Sequence, residues 1–135
     1  MKGLALAAGL GLALAGSAGA QQMVTDRVMT QNGHDYACSG IGKHAQNDPR
    51  WAEFPLKLVF ARPDGAYLSD IAVELTAADG ASIIRAHCNA PWFLAKLDAG
   101  TYKAKVTSSG GQEQSFDVQV PSSGQKQVVV TFNEG

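Results

Sequence analysis

Apolar and polar side chains alternate with a period of two after Pro55, and this pattern constrains the fold more than any other feature of the sequence. Segments such as 56–61, 71–76 and 115–120 alternate in this way, as expected of strands with one buried face and one solvated face. Turn signals such as Asp64-Gly65 and Asp79-Gly80 separate these segments about every 8 to 12 residues. The pattern predicts an all-β fold, a seven-stranded antiparallel β-sandwich, with a small closed barrel as the structural alternative.

The chain before Pro55 shows no sustained alternation and predicts a different organisation. Residues 21–54 are expected to form an N-terminal arm with a short helix, in which Asp48 is the N-cap and Pro49 the first helical position. Residues 55–135 are expected to form the β-sandwich domain.

Residues 1–20 have the organisation of a secretory signal peptide. Lys2 gives a positive start, residues 3–20 carry no charge, and Ala18-Gly19-Ala20 is an A-x-A cleavage site. The uncharged run is at the lower limit for spanning a bilayer, so a membrane anchor is the alternative interpretation. The sequence therefore predicts export to a bacterial periplasm and no membrane span in the mature chain.

Export makes the two cysteines, Cys38 and Cys88, candidates for a disulfide, because an oxidising compartment favours pairing. The alternative is a small metal- or redox-handling protein that uses both cysteines with His87, and His34 or His44 as a further ligand. Adjacent His and Cys residues have no established chelating spacing, and the chain contains no C-x-x-C pair. No metal or other cofactor is predicted.

The charge balance argues against nucleic acid as a partner. The chain has 11 Lys and Arg residues against 12 Asp and Glu. Removing Lys2 with the leader leaves 10 against 12, a net charge of −2, whereas phosphate binding needs a basic face. The sequence also lacks a G-x-S-x-G nucleophile elbow and a D-x-D-x-D-G calcium loop.

Four aromatic residues, Trp51, Tyr67, Trp92 and Phe93, are the candidate binding residues. If two or three of them surround one end of the sandwich, they can stack on a sugar or receive a peptide. The other interpretation is that Trp92 closes the end of the core and Trp51 covers a sheet edge, since aromatic rings bury large apolar areas by default. Exposed sheet edges offer a further route, by addition of an extended partner strand.

Residues 89–106, NAPWFLAKLDAGTYKAKV, resemble the G-P-W…L-P-P-G-T-Y-x-V segment of carboxypeptidase regulatory-like domains. These domains belong to the transthyretin-like, or prealbumin-like, β-sandwich group. Residues 65–80 resemble the strand–turn–strand of the same group, and the resemblance extends over about 36–132. Asp98-Ala99 replaces the frequent Pro-Pro, and the two cysteines lie outside the general motif. The resemblance implies a fold and leaves the activity open, since such sandwiches have many functions.

The transthyretin-like group also contains an enzyme that hydrolyses 5-hydroxyisourate with His and Arg residues and a Tyr-Arg-Gly-Ser tail. The sequence has no such tail, and its histidines at 34, 44 and 87 do not follow the spacing of that enzyme. The sequence therefore predicts an exported non-enzymatic binding or accessory module. Its expected partner is a protein, peptide or glycan of the cell envelope.

Overall fold

The computed structural model describes residues 23–134. The predicted signal peptide, residues 1–20, lies outside the described residues. Within residues 23–134 no helix is long and apolar enough to cross a bilayer. The described chain is mostly β, with nine strands in two sheets. The strands are β1 (Met29–Gln31), β2 (His34–Ser39), β3 (Leu56–Ala61), β4 (Ile71–Ala77), β5 (Ser82–Cys88), β6 (Trp92–Ala95), β7 (Gly100–Thr107), β8 (Glu113–Val120) and β9 (Lys126–Thr131).

The strands form a five-stranded sheet in the order β1-β2-β6-β3-β9 and a four-stranded sheet in the order β5-β4-β7-β8. Neighbouring strands are antiparallel except β3 and β9, which pair in parallel with Leu56 opposite Lys126. The prediction of a wholly antiparallel sandwich is wrong at this pair. The chain leaves β8 in the other sheet and returns beside β3 in the same direction, so the last strand closes the five-stranded sheet in parallel.

The strand count is nine rather than the predicted seven, because the N-terminal segment contributes β1 and β2. The seven predicted segments correspond to β3 to β9. β2 was not predicted because both of its faces are buried. Tyr36 and Cys38 enter the main core, whereas Ala37 packs on the opposite side of the sheet. A strand that is buried on both faces shows no alternation of polar and apolar residues.

The main core lies between the two sheets and is formed by alternate residues of both. Leu58 and Phe60 of β3 join Val73 and Leu75 of β4 and Val106 of β7 in one buried cluster. Each fully buried side chain of this kind contributes roughly 1.5–3 kcal/mol through removal of apolar surface from water. The alternation of the sequence therefore corresponds to a shared core, as the period-two pattern predicts.

The predicted disulfide between Cys38 and Cys88 is confirmed. It joins β2 of the five-stranded sheet to β5 of the four-stranded sheet, with a Cα–Cα distance of 5.5 Å and both residues fully buried. The bond closes a loop of sequence separation 50. A loop of that length restricts the unfolded chain enough to contribute about 4 kcal/mol to stability.

A second apolar cluster lies on the outer face of the five-stranded sheet. A 3-10 helix (Pro49–Glu53) packs on this face through Trp51, and helix α1 (Gly42–Gln46) precedes it in the chain. Asp48 caps the 3-10 helix by accepting a hydrogen bond from the backbone N–H of Arg50 at 2.9 Å, as its predicted N-cap role requires. The cluster consists of Ala37, Trp51, Phe54, Val59, Trp92 and Leu94.

Side-chain amides connect the edges of the two sheets on both sides. Gln31 on β1 donates to the backbone oxygen of Arg85 on β5 at 2.7 Å and accepts from its N–H at 2.9 Å. On the other side, Gln112 makes the same two-way contact with the backbone of Asn133, at 3.1 and 3.2 Å. Gln114 donates to the backbone oxygen of Thr131 at 2.6 Å. These contacts occupy backbone groups that an edge strand otherwise offers to another chain.

Candidate functional site

The structure brings together two of the four predicted binding aromatics. Trp51 and Trp92 lie in the second apolar cluster, with 3% and 7% of their surface exposed. Phe93 neighbours Trp92 in sequence but points to the opposite side of β6 and is fully buried in the main core. Tyr67 is exposed and lies apart, in a loop that bridges to Ala61 at the end of β3. The four residues therefore do not surround one end of the molecule.

A cleft of about 270 Å³ opens beside the two tryptophans, and we call it the indole cleft. Lys57 and Gln125 line it together with Trp51, Trp92 and residues 46–49, which run from the end of α1 to the start of the 3-10 helix. In the antiparallel pairing of β3 and β6, Lys57 is opposite Leu94 and Val59 is opposite Trp92. All four of these side chains therefore belong to the outer face of the sheet.

Lys57 is the unusual charge of the indole cleft. Its Nζ lies 3.4 Å from the centroid of the Trp92 ring, within the range of a cation–π contact. Burial lowers the pKa of the Lys57 ammonium, because a charge is less well solvated there. Among residues 23–134, Lys57 forms no ion pair with a carboxylate. In the described part of the chain, Lys57 is therefore a half-buried cation without an acidic partner.

The neighbouring cation, Arg50, is paired. Its guanidinium lies over the Trp51 ring at 4.5 Å from the centroid and contacts the Asp48 carboxylate at 2.8 Å. Hydrogen bonds from Arg50 hold the pKa of the Asp48 carboxyl below its usual value. Asp48 also lines the cleft, but its charge is directed to Arg50. The unbalanced charge of the cleft is therefore that of Lys57.

Two buried donors belong to the same tryptophans. The indole Nε1 atoms of Trp51 and Trp92 are enclosed, and neither has a hydrogen-bond acceptor within the described part of the chain. A buried donor without an acceptor costs about 1–3 kcal/mol. Gln125 lies beside them, but its amide nitrogen is used by the backbone oxygens of Trp51 and Phe54, at 2.7 and 3.0 Å. The amide nitrogen of Gln125 therefore holds the backbone around Trp51, and the two indole N–H groups are left without acceptors among the described residues.

Gly40 determines how closely the chain approaches Trp92. Its φ is +104°, and a Cβ atom built on it would lie 2.7 to 2.9 Å from three atoms of the indole ring. Those atoms, Cγ, Cδ1 and Cδ2, are at the root of the side chain and have little freedom to move away. Glycine is required here both by the backbone conformation and by the contact. Gly40 follows β2 directly, so the end of this strand places Gly40 in contact with the Trp92 ring.

The residues of the metal- or redox-handling alternative do not come together as a ligand set. Both cysteine sulfurs are bonded to each other, so neither is a thiolate. The His87 ring contacts the Asp70 carboxylate. The His34 ring contacts the backbone oxygen of Lys96 instead. Within residues 23–134, no group of three or more His, Cys, Asp or Glu residues has a geometry suited to a metal ion.

His87, which contacts Asp70, lines a groove of about 560 Å³ on the outer face of the four-stranded sheet. The charges along this groove are largely paired, for example Arg85 with Glu74 at 3.4 Å. Alternating charges on the solvated face of a sheet are the expected pattern for stability and solubility. This surface is thus less distinctive chemically than the indole cleft.

No protein-family model matches the chain, and no curated protein matches its sequence. The candidate site therefore rests on the geometry of the chain itself. Trp51 and Trp92 were candidates from the sequence, but Lys57, Gly40 and Gln125 were not. Lys57 occupies the polar position of an alternating strand, and nothing in that pattern distinguishes a covered position from a solvated one.

Proposed function

We propose that the protein is an exported, non-enzymatic binding module of the transthyretin-like group, and that the indole cleft is its binding surface. The observation that carries the proposal is Lys57, a half-buried cation over Trp92 that has no acidic partner among residues 23–134. A buried charge without a partner is unfavourable, and a ligand that pairs with Lys57 would supply the missing interaction.

The proposed resemblance to carboxypeptidase regulatory-like domains concerns the fold group and leaves the ligand open. The two-sheet arrangement and the L-D-A-G-T-Y segment at 97–102 support it. Export is supported by the buried Cys38–Cys88 bond, because such bonds persist in oxidising compartments. Intact mass of the protein recovered from a periplasmic fraction tests this part, with a chain that begins at Gln21 as the expected result.

The binding function can be tested through the tryptophans. The chain has two of them, and both line the indole cleft. A ¹H–¹⁵N spectrum of the mature protein therefore contains two indole signals, and both report on this site. We expect a dialysable fraction of envelope extract to shift at least one of them saturably. If such fractions leave both signals unchanged while backbone signals of the four-stranded sheet shift, the binding surface is elsewhere.

The non-enzymatic part of the proposal has its own test. The purified protein is expected not to turn over 5-hydroxyisourate, the substrate of the enzyme in the transthyretin-like group. Turnover that is lost in His87→Ala would contradict the proposal and would transfer the function to the groove that His87 lines.

A further inference from the structure

We propose that the indole cleft binds a small organic acid through its carboxylate, with the Lys57 ammonium as the anion-binding group. This inference rests on the proposed binding function of the cleft and adds the chemical class of the ligand. Three features of the cleft support it: the free donors of Lys57, the local balance of charge, and the size of the space.

Lys57 has donors that residues 23–134 do not use. An ammonium carries three N–H donors, and the Trp92 ring occupies the side of Lys57 that faces it, at 3.4 Å from the centroid. Within the described part of the chain, no hydrogen-bond acceptor contacts Nζ. A carboxylate is the natural complement, because a charge-assisted hydrogen bond is about twice as strong as a neutral one.

The charges around Lys57 favour an anion over a cation or a neutral ligand. Asp48 is the carboxylate that lines the cleft, and it accepts hydrogen bonds from the backbone N–H, Nε and terminal nitrogen of Arg50, at 2.9, 3.0 and 2.8 Å. Its charge is thus compensated by Arg50, whereas that of Lys57 is not. Lys57 is thus the cleft's charge without a partner among the described residues.

The volume limits the ligand. At about 270 Å³ the cleft lies just below the range of ~300–1,000 Å³ that is typical of sites for drug-sized molecules. It therefore accepts one small acid or a single terminal residue of a longer molecule. The enclosed indole N–H groups serve as reporters, because a ligand that contacts Lys57 changes the environment of the ring beneath it.

The experiment compares benzoate with benzamide, which have nearly the same shape and differ in charge. The readouts are tryptophan fluorescence and the two indole N–H signals of the mature protein. We expect saturable changes with benzoate and on the order of tenfold weaker binding, or none, with benzamide. Glucuronate and an N-acetyl amino acid, titrated separately, show whether a sugar acid or a peptide C-terminus carries the preferred carboxylate.

Lys57→Met and Lys57→Gln are the test variants, and Lys96→Met is the matched control. Lys96 also lies over an aromatic ring, Phe54, at 5.0 Å from the centroid, but it lines a different depression. Both Lys57 variants are expected to lose benzoate binding by on the order of tenfold or more, and Lys96→Met to retain it. The Lys57 variants should keep the wild-type melting temperature, because the removal of a half-buried charge offsets the lost cation–π contact.

The outcomes separate this inference from the proposed function. If benzoate and benzamide bind equally and the Lys57 variants bind both, the carboxylate assignment is wrong and the cleft remains a binding site. If neither compound nor any envelope fraction changes the indole signals, both proposals are wrong. Equal loss of binding in Lys96→Met and in the Lys57 variants would show a general charge effect and would overturn the role of Lys57.

Discussion

Replacing Gly40 by alanine tests how the chain positions Trp92, and Gly42→Ala is the matched control. Both glycines have a left-handed backbone, with φ of +104° at Gly40 and +85° at Gly42. They differ in their surroundings. A Cβ at Gly40 meets the Trp92 ring at 2.7 Å, whereas nothing lies within 4 Å of a Cβ at Gly42.

The magnitudes follow from these two terms. An L-residue in the left-handed region costs about 1–2 kcal/mol, and this cost applies to both variants. At Gly40 the inserted methyl group also forces apart the backbone and the root of an indole ring, which adds about 1–3 kcal/mol as overpacking. We therefore expect Gly42→Ala to lose about 1–2 kcal/mol and Gly40→Ala to lose about 2–5 kcal/mol. For a domain whose whole stability is on the order of 5–15 kcal/mol, the second loss is large.

Urea unfolding followed by tryptophan fluorescence measures both losses, and the indole N–H spectrum measures the local effect. Gly40→Ala should shift the Trp92 signal and lower the unfolding midpoint further than Gly42→Ala, with a similar slope. The reasoning is refuted if the two variants are equally stable and the Trp92 signal of Gly40→Ala stays at its wild-type position. That result would mean that the contact between Gly40 and the ring relaxes at no cost.

Three further predictions concern the rest of the fold. The double variant Cys38→Ser/Cys88→Ser should lose about 4 kcal/mol of unfolding free energy in urea, and a loss below about 1 kcal/mol would show that the loop is restrained without the bond. Burial, with a smaller effect of Asp98, raises the pKa of the Tyr102 phenol, so its contribution to stability is complete below about pH 10 and is lost as the pH rises through the raised pKa. The unfolding midpoint should therefore fall less steeply between pH 9 and 11 in Tyr102→Phe than in the wild type, and equal slopes would exclude this group. Gln31→Ala frees backbone groups of β5 and should lower the free energy of unfolding by about 1 kcal/mol, with faster hydrogen exchange of the backbone amides in that strand. Unchanged exchange would show that solvent fully replaces the Gln31 side-chain amide.

The predictability of the fold depends on which faces of a strand are solvated. β4 and β7 were predictable because the polar side chains on their outer faces alternate with apolar residues of the core. β2 was not, because Ala37 and Cys38 are both fully buried, on opposite faces. The parallel pairing of β9 with β3 was also unpredictable, since strand order depends on contacts far apart in sequence. The resemblance to transthyretin-like domains stays a prediction.

The candidate site was predictable only in part, for a related reason. Trp51 and Trp92 were candidate binding residues because they are aromatic. Which residues surround them depends on how residues 40–54 fold over the sheet, and the sequence does not show this. Alternation assigns Lys57 to the outer face of β3 and leaves open whether solvent or another segment covers that face. The Gly40-Ile41-Gly42 sequence indicates a turn. In the structure the first glycine packs against an indole ring and the last is exposed, and the sequence does not distinguish them.

The disulfide and the indole cleft are linked through the register of β2 and β6. Cys38 is opposite Phe93, and the next pair along the strands is Ser39 with Trp92. Gly40 follows immediately and packs on the Trp92 ring. The covalent bond to Cys88 therefore fixes the end of β2 one residue before the pair that positions the tryptophan. Loss of the bond releases this end of the strand first. Reduction of the disulfide should therefore weaken ligand binding at the cleft before it unfolds the sheets. An indole spectrum that is unchanged on reduction of the folded protein would contradict this coupling.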